Sequence, residues 1–235
     1  MRMLVLNPHS STGKTTTALN LSLALAREGV PVQLVDADPK GVLTRALLQS
    51  GLMPSGPVGA QDSIKGRVPG FRALSFHGPE ATGANSENIA KCLPQHTGNW
   101  QILDTASAAI NIQSTLVAES DLILVPVKPE AEAFEGLSSL ISDLQSVGMP
   151  LSALRILIAQ YSNRILGHRI IRSKLIDRFG SQAVVPVVIR TSGKLSSKGD
   201  SAGIVFEDAP RSTGASDYAQ LARSLLSEQA LVEAK

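Results

Sequence analysis

The tripeptide Gly13-Lys14-Thr15 lies between an apolar run, Met3–Asn7, and a stretch of helical spacing, Lys14–Glu28. This order constrains the fold more than any other feature of the chain. A strand that turns directly into a helix at Gly-Lys-Thr is the setting in which backbone amides and a lysine cradle phosphate. The first amides of a helix have no intrahelical partner and carry the positive end of the helix dipole. Lys14 adds a cation for the β- and γ-phosphates, and the Thr15 hydroxyl is a ligand for Mg²⁺. A Gly-Lys-Thr can also begin a helix by chance, but the strand before it favours phosphate.

The remaining sequence alternates short apolar runs with helical segments. Strands are expected at Val32–Asp36, Arg72–His77, Trp100–Asp104, Leu122–Val127, Ile156–Gln160 and Val184–Ile189 besides the first. Several are almost continuously apolar, as parallel strands covered on both faces must be. Helices are expected at Leu43–Leu52, Asn85–Cys92, Ala109–Glu119, Ala133–Val147, His168–Phe179 and Ser216–Leu231, between the strands. The alternation predicts an α/β fold, a doubly wound and mostly parallel sheet with helices on both faces. Residues 53–86, dense in Gly and Pro, read as loop with one strand. The 235 residues are expected to form a single domain, 1–235.

Composition excludes several classes of function. One cysteine, Cys92, rules out a disulfide within the chain and a cysteine-ligated cluster, and suits a reducing compartment. Aromatics make up 3%, too few for stacking platforms that bind single-stranded nucleic acid. The start at Met1-Arg2 runs at once into a strand, so no signal peptide and no preceding helix-turn-helix are expected, and the chain is expected in the cytoplasm. The last segment, Leu225–Lys235, carries acids and no aromatic, so a membrane anchor is not expected. Charge is uneven: residues 1–150 hold ten basic against thirteen acidic side chains, and residues 151–235 hold twelve against seven. A basic second part suits phosphate-backbone contact, although solvated basic faces are common.

Carboxylates end two of the strands. Asp36 and Asp38 lie at the C-terminal edge of the second strand, where ligands bind in open α/β sheets. A cap for the helix near Leu43 is the alternative. Asp104 ends Trp100–Asp104, the placement of an acid that holds Mg²⁺ through water.

The phosphate loop lacks two of its usual glycines. It reads Asn7-Pro8-His9-Ser10-Ser11-Thr12-Gly13-Lys14-Thr15-Thr16, which resembles the deviant loop N-Q-K-G-G-x-G-K-T-T of the ParA/MinD family of deviant Walker ATPases. Val35-Asp36-Ala37-Asp38-Pro39-Lys40-Gly41 resembles that family's V-D-x-D-P-Q-G switch. Ser120–Val127 followed by Ala133-Phe134-Glu135-Gly136-Leu137, then Val188–Ser192, and Phe206–Tyr218, resemble further family segments. The likeness omits residues 53–98.

The resemblance implies an ATP- and Mg²⁺-binding ATPase with a weak intrinsic rate and partner-stimulated hydrolysis. It implies a homodimer when ATP is bound, non-specific DNA binding at the nucleoid, and a cargo adaptor. The cargo stays open among a plasmid, a chromosome and a protein organelle; loss of the signature lysine resembles McdA-type carboxysome positioning. It assigns the nucleotide to His9, Ser10, Ser11, Thr12, Gly13, Lys14, Thr15 and Thr16, catalysis to Lys14 and Asp38, and the metal to Thr15, Asp36 and Asp104. Arg190 is placed beside the base, or is a plain surface cation.

His9 replaces the family's signature lysine, which reaches the partner subunit's nucleotide. Lys128 and Lys40 are the candidates to replace it. Arg164, Arg169, Arg172, Lys194 and Lys198 are the candidates for DNA contact. Two other readings stay open: a nucleotide-binding scaffold with little turnover, and a metabolic ATP-dependent enzyme on the same fold.

Overall fold

A computed structural model of the chain describes residues 1–52, 63–65, 68–75, 86–93, 99–108, 110–193, 195 and 203–233. The strands are β1 (Arg2–Val5), β2 (Val32–Ala37), β3 (Ser63–Lys65), β4 (Phe71–Ser75), β5 (Trp100–Thr105), β6 (Leu122–Val127), β7 (Leu154–Tyr161) and β8 (Val184–Arg190). They form one sheet in the order β3-β4-β2-β5-β1-β6-β7-β8. Every neighbouring pair is parallel except β3 with β4. The helices are α1 (Lys14–Arg27), α2 (Val42–Gln49), α3 (Ser86–Cys92), α4 (Ile110–Ala118), α5 (Ala133–Ser146), α6 (Leu166–Ala183), α7 (Val205–Asp208) and α8 (Thr213–Glu233).

Successive side chains of a strand face opposite sides of a sheet, and here both sides are core. Met3 and Val5 of β1 pack with α1, α2 and α8, through Leu19, Leu23, Leu43 and Leu221. Leu4 of β1, with Leu6 just beyond it, packs on the other side with α4, α5 and α6, through Val117, Leu140 and Leu175. All positions of β1, β5 and β6 are buried, including the polar Gln101, Asp104 and Thr105 of β5.

The order also positions the site. The chain leaves β1 for β2 on one side, while β6 lies on the other. Strands that part in this way leave a crevice at their C-terminal ends, where ligands bind in such sheets. The loop from β1 to α1 opens into that crevice. The expected doubly wound architecture is what the structure has.

The differences have local causes. β3 was not expected; it is a three-residue antiparallel edge strand within the Gly- and Pro-rich region, too short to show periodicity. The one-turn α7 was also missed for its length. The helix expected at His168–Phe179 starts at Leu166, and the regular part ends where Gly180 takes φ 84°, ψ 155°. β8 carries Pro186 at the sheet edge, where proline is tolerated within a sheet.

Leu103 in β5 is fully buried against the α4–α5 side. Leu103→Ala is expected to destabilise the protein by about 2–5 kcal/mol. Urea unfolding checks it as a lower midpoint at unchanged slope.

Candidate functional site

The loop between β1 and α1 is tied down at both ends. Asn7 Nδ2 donates to the Pro126 carbonyl of β6 at 2.9 Å, and its Oδ1 accepts the His9 amide at 2.9 Å. An Asx turn of this kind starts a loop without a glycine. At the far end Gly13 caps α1 with φ 96°, ψ 20°, a left-handed conformation that any side chain would strain. The glycine that the sequence retains is therefore the one the turn into α1 requires. Ser11 also has a positive φ, 57°, so the loop keeps a left-handed residue where serine has replaced glycine.

Lys14 is buried and folds back into its own loop. Its Nζ donates to the His9 carbonyl at 2.9 Å and to Ser107 Oγ at 2.7 Å. Burial pulls its ammonium below the ordinary lysine value; the charges of Asp104 and Asp38 oppose that, and Lys40 adds to it. Ser107 was missed by the sequence reading.

Asp104 is 0% exposed, and neither carboxylate oxygen has a hydrogen-bond partner. Burial pushes its carboxyl well above the ordinary value; Asp36 and Asp38 push the same way, while Thr15 and Lys14 pull back. The Thr15 hydroxyl lies close enough to favour the charged form without making a regular bond to it. A buried acid left without a partner beside a threonine hydroxyl and a lysine fits a hydrated Mg²⁺ carried by phosphates. The described residues contain no cluster of three metal-ligating side chains, and Mg²⁺ is commonly held by one or two carboxylates plus phosphate rather than by a protein cage.

Asp36 is engaged differently. Its Oδ2 accepts the Thr44 amide at 2.9 Å and the Thr44 hydroxyl at 2.6 Å, while Oδ1 accepts the Asp38 amide at 3.2 Å. It caps the first turn of α2, the alternative the sequence left open. Asp38 accepts the Lys40 amide at 2.9 Å and is half-buried. Lys40 is exposed on this turn.

A cavity of about 340 Å³ lies beside the loop, lined by Ser11, Gly13, Thr16, Lys128, Arg190 and Tyr218 among others. Arg190 reaches it, but its guanidinium is held by Asp217 of α8, at 2.6 Å from Nη2 to Oδ1. That hydrogen bond raises its pKa above the ordinary arginine value. Asp217 is 3% exposed, so Arg190 fixes the end of β8 to α8 as well as lining the cavity. Thr17 and Tyr218 close the floor through a hydroxyl pair at 3.3 Å. Asp217 and Tyr218 end the family-like segment Phe206–Tyr218, which gave them no role; Thr17 had no sequence signal.

His9 lies on the other side of the loop. Its exposed imidazole rests on Gly136 of α5, where an added Cβ would sit 3.0 Å from Nε2. A second cavity of about 520 Å³, with His9, Lys128, Glu130 and Glu135 in its wall, opens there. Lys128 thus borders both cavities. Ser10 is exposed, and Thr12 Oγ1 makes a long bond of 3.4 Å to the His9 carbonyl.

The three described DNA candidates lie at or near the start of α6. Arg164 and Arg169 are exposed at the start of α6 beside exposed Ile165, Leu166 and Ile170. Arg172 is half-buried and donates to the Pro186 carbonyl at 3.3 Å, which draws it onto its own chain. Lys194, Lys198 and the side chain of Cys92 lie outside the described residues. No described helix is long and apolar enough to cross a membrane.

The family model described as the CobQ/CobB/MinD/ParA nucleotide binding domain matches residues 3–230. The chain belongs to this family. It is 29% identical to the chromosome-partitioning ATPase Soj of Thermus thermophilus, over 96% of this chain and 95% of that protein. Among solved structures, the MinC:MinD cell division complex of Aquifex aeolicus matches with a TM-score of 0.72 at 19% identity, covering 96% of this chain and 95% of that one. Cobyrinic acid a,c-diamide synthase of Mycobacterium smegmatis, with bound ATP analogue and magnesium, matches with a TM-score of 0.69 at 20% identity over 96% and 93%. At such identities the two structures show the shared fold.

The raised pKa of Asp104 gives a stability test. A carboxyl with a folded pKa above its unfolded value favours folding while protonated and opposes it once ionised. In nucleotide-free protein without Mg²⁺, Asp104→Asn is expected to raise the thermal midpoint at pH 7. The gain should shrink as pH falls towards the ordinary aspartate value of about 4. Thermal melts of both proteins across that range check the sign.

Proposed function

We propose that this member of the CobQ/CobB/MinD/ParA family is an ATP- and Mg²⁺-dependent ATPase of the partition or positioning type. Its ATP-bound form is a homodimer that grips nucleoid DNA non-specifically, carries a cargo through an adaptor, and lets go on adaptor-stimulated hydrolysis. The observation that carries this reading is the partnerless Asp104 carboxylate facing Thr15 and Lys14 at the mouth of α1. Similarity to Soj over nearly the whole length of both chains supports the partition class over a metabolic enzyme.

Gly13, Lys14 and Thr15 would hold the triphosphate and its ion, with Asp104 holding a water of the ion's shell. Magnesium supplies charge neutralisation at the phosphate oxygens. Lys14 is kept in the loop by Ser107 and the His9 carbonyl. Asp38 orients the attacking water. Asp36 acts on the ion only indirectly, because its oxygens hold the start of α2. The nucleotide biases the chain between two states, free and dimeric, by binding one more tightly. Such a switch suits cargoes of any of the three kinds named above.

The engaged Asp36 and the two serines in the loop favour one second reading, a nucleotide-binding scaffold with little turnover. ATP hydrolysis with and without DNA separates the two. The wild type is expected to hydrolyse slowly and faster with DNA and adaptor. Lys14→Ala should lose nucleotide binding, and Asp38→Ala should bind but lose turnover about a hundredfold or more. A wild type that binds without any turnover would favour the scaffold.

DNA affinity of the ATP-bound form should fall linearly in log-log plots against salt. Arg164→Ala and Arg169→Ala should each lower that slope by about one; affinity indifferent to salt would refute phosphate contact. Lys128→Ala is expected to weaken ATP-dependent dimerisation, read by analytical ultracentrifugation. Normal dimers from both Lys128→Ala and Lys40→Ala would show that neither replaces the missing lysine.

A further inference from the structure

Among the described residues, two that are not glycine have positive φ: Ser11 at 57° and Gln160 at 56°. They lie 149 positions apart in sequence, yet Gln160 Nε2 donates to the Ser11 carbonyl at 3.1 Å. Both line the cavity of about 340 Å³ beside the phosphate loop. A serine in the left-handed region is strained, and such strain persists only where surrounding structure over-determines it.

Ser11 is bracketed by two anchors. On one side the His9 carbonyl accepts Lys14 Nζ at 2.9 Å. On the other, the Ser11 carbonyl is held by Gln160. Gln160 is in turn fixed by the segment after β8: Thr191 Oγ1 donates to the Gln160 carbonyl at 2.9 Å, and the Thr191 amide donates to Tyr161 O at 2.8 Å. Gln160, left-handed at the next-to-last position of β7, sends its side chain to the loop. A chain of hydrogen bonds thus runs from the end of β8 through Gln160 to Ser11. No bond of this chain involves an atom of Gly13, Lys14 or Thr15.

We propose that Gln160 is a positioning residue for the phosphate loop, holding Ser11 in the left-handed conformation that a glycine would adopt unaided. A carbonyl pinned by Gln160 is kept from turning on the anion, which leaves the loop amides to face it. Gln160 therefore compensates for a serine in this chain's loop, and the two residues are energetically coupled. The inference rests on the nucleotide reading for its consequence, but not for the contact itself.

A double-mutant cycle tests it. Gln160→Met keeps the length of the side chain and removes the donor. Calorimetric binding of ATP with Mg²⁺ should weaken about three- to tenfold, the range of one neutral hydrogen bond. The thermal midpoint of the nucleotide-free protein should match the wild type. In Ser11→Gly, where glycine takes a positive φ without strain, Gln160→Met should cost less than about twofold. Wild-type affinity in Gln160→Met overturns the proposal. An equal loss in both backgrounds also overturns it, since Gln160 would then touch the ligand directly. If the wild type binds no adenine nucleotide, the functional reading fails separately. Hydrogen exchange of the residue 10–13 amides in free protein then decides: faster exchange in Gln160→Met supports the strut, and equal exchange refutes it.

Discussion

The Lys14 ammonium is held inside its own loop by a backbone carbonyl and a serine hydroxyl, with the buried Asp104 carboxylate close by. The rest of the site follows from that juxtaposition. Neither charge is comfortable: burial disfavours both, and each partly offsets the other. To bring them together, β1 must be central, β5 must pair with it in register so that Val5 stands beside Asp104, and α1 must start where β1 ends. Parallel strands with apolar residues on both faces make that arrangement rigid. The energetic strain is concentrated where a charged ligand would relieve it.

The loop shows how the turn of a phosphate-loop motif keeps its shape after the loss of glycines. Glycine is indispensable only at position 13, where φ is 96° and α1 begins. Elsewhere the backbone shape is imposed from outside: Asn7 braces the entrance against β6, and Gln160 braces Ser11 from β7. Serine costs backbone freedom relative to glycine but offers hydroxyls, and the loop uses neighbouring strands to supply the stiffness it lacks. At position 9, the imidazole lies against Gly136 of its own chain, so a residue that in the family resemblance would cross to a partner is here folded onto α5. Gly136 leaves room for this, since an added Cβ would press on Nε2 at 3.0 Å.

Much of the fold was legible because parallel strands leave a strong trace. Continuous apolar runs such as Leu122–Val127 admit few other structures in an alternating chain, and their boundaries were close. β3 and α7 were not legible, as three or four residues cannot display a period. At the site, Lys14, Thr15 and Asp104 were visible from residue type and order. Ser107, Gln160 and Thr44 were not, and Asp217 was visible only as part of the Phe206–Tyr218 likeness. Their side chains are common, and their roles arise only from neighbours at distant positions, as with Gln160 and Ser11. Asp36 was visible as a carboxylate, but only its distances to Thr44 reveal that it caps α2. The basic residues Arg164, Arg169 and Arg172 looked equivalent; burial separates Arg172 from the other two.

The amino-acid order alone determined the class of the fold and the phosphate loop, because both depend on local pattern: apolar periodicity, and a Gly-Lys-Thr at a strand-to-helix turn. Tertiary structure decided what each polar group does. Whether a carboxylate caps a helix, pairs with an arginine or stands buried without a hydrogen bond depends on which atoms lie within about 3 Å of it. Sequence separation carries no information about such contacts. Asp36, Asp217 and Asp104 carry the same functional group, and only packing assigns them three different tasks.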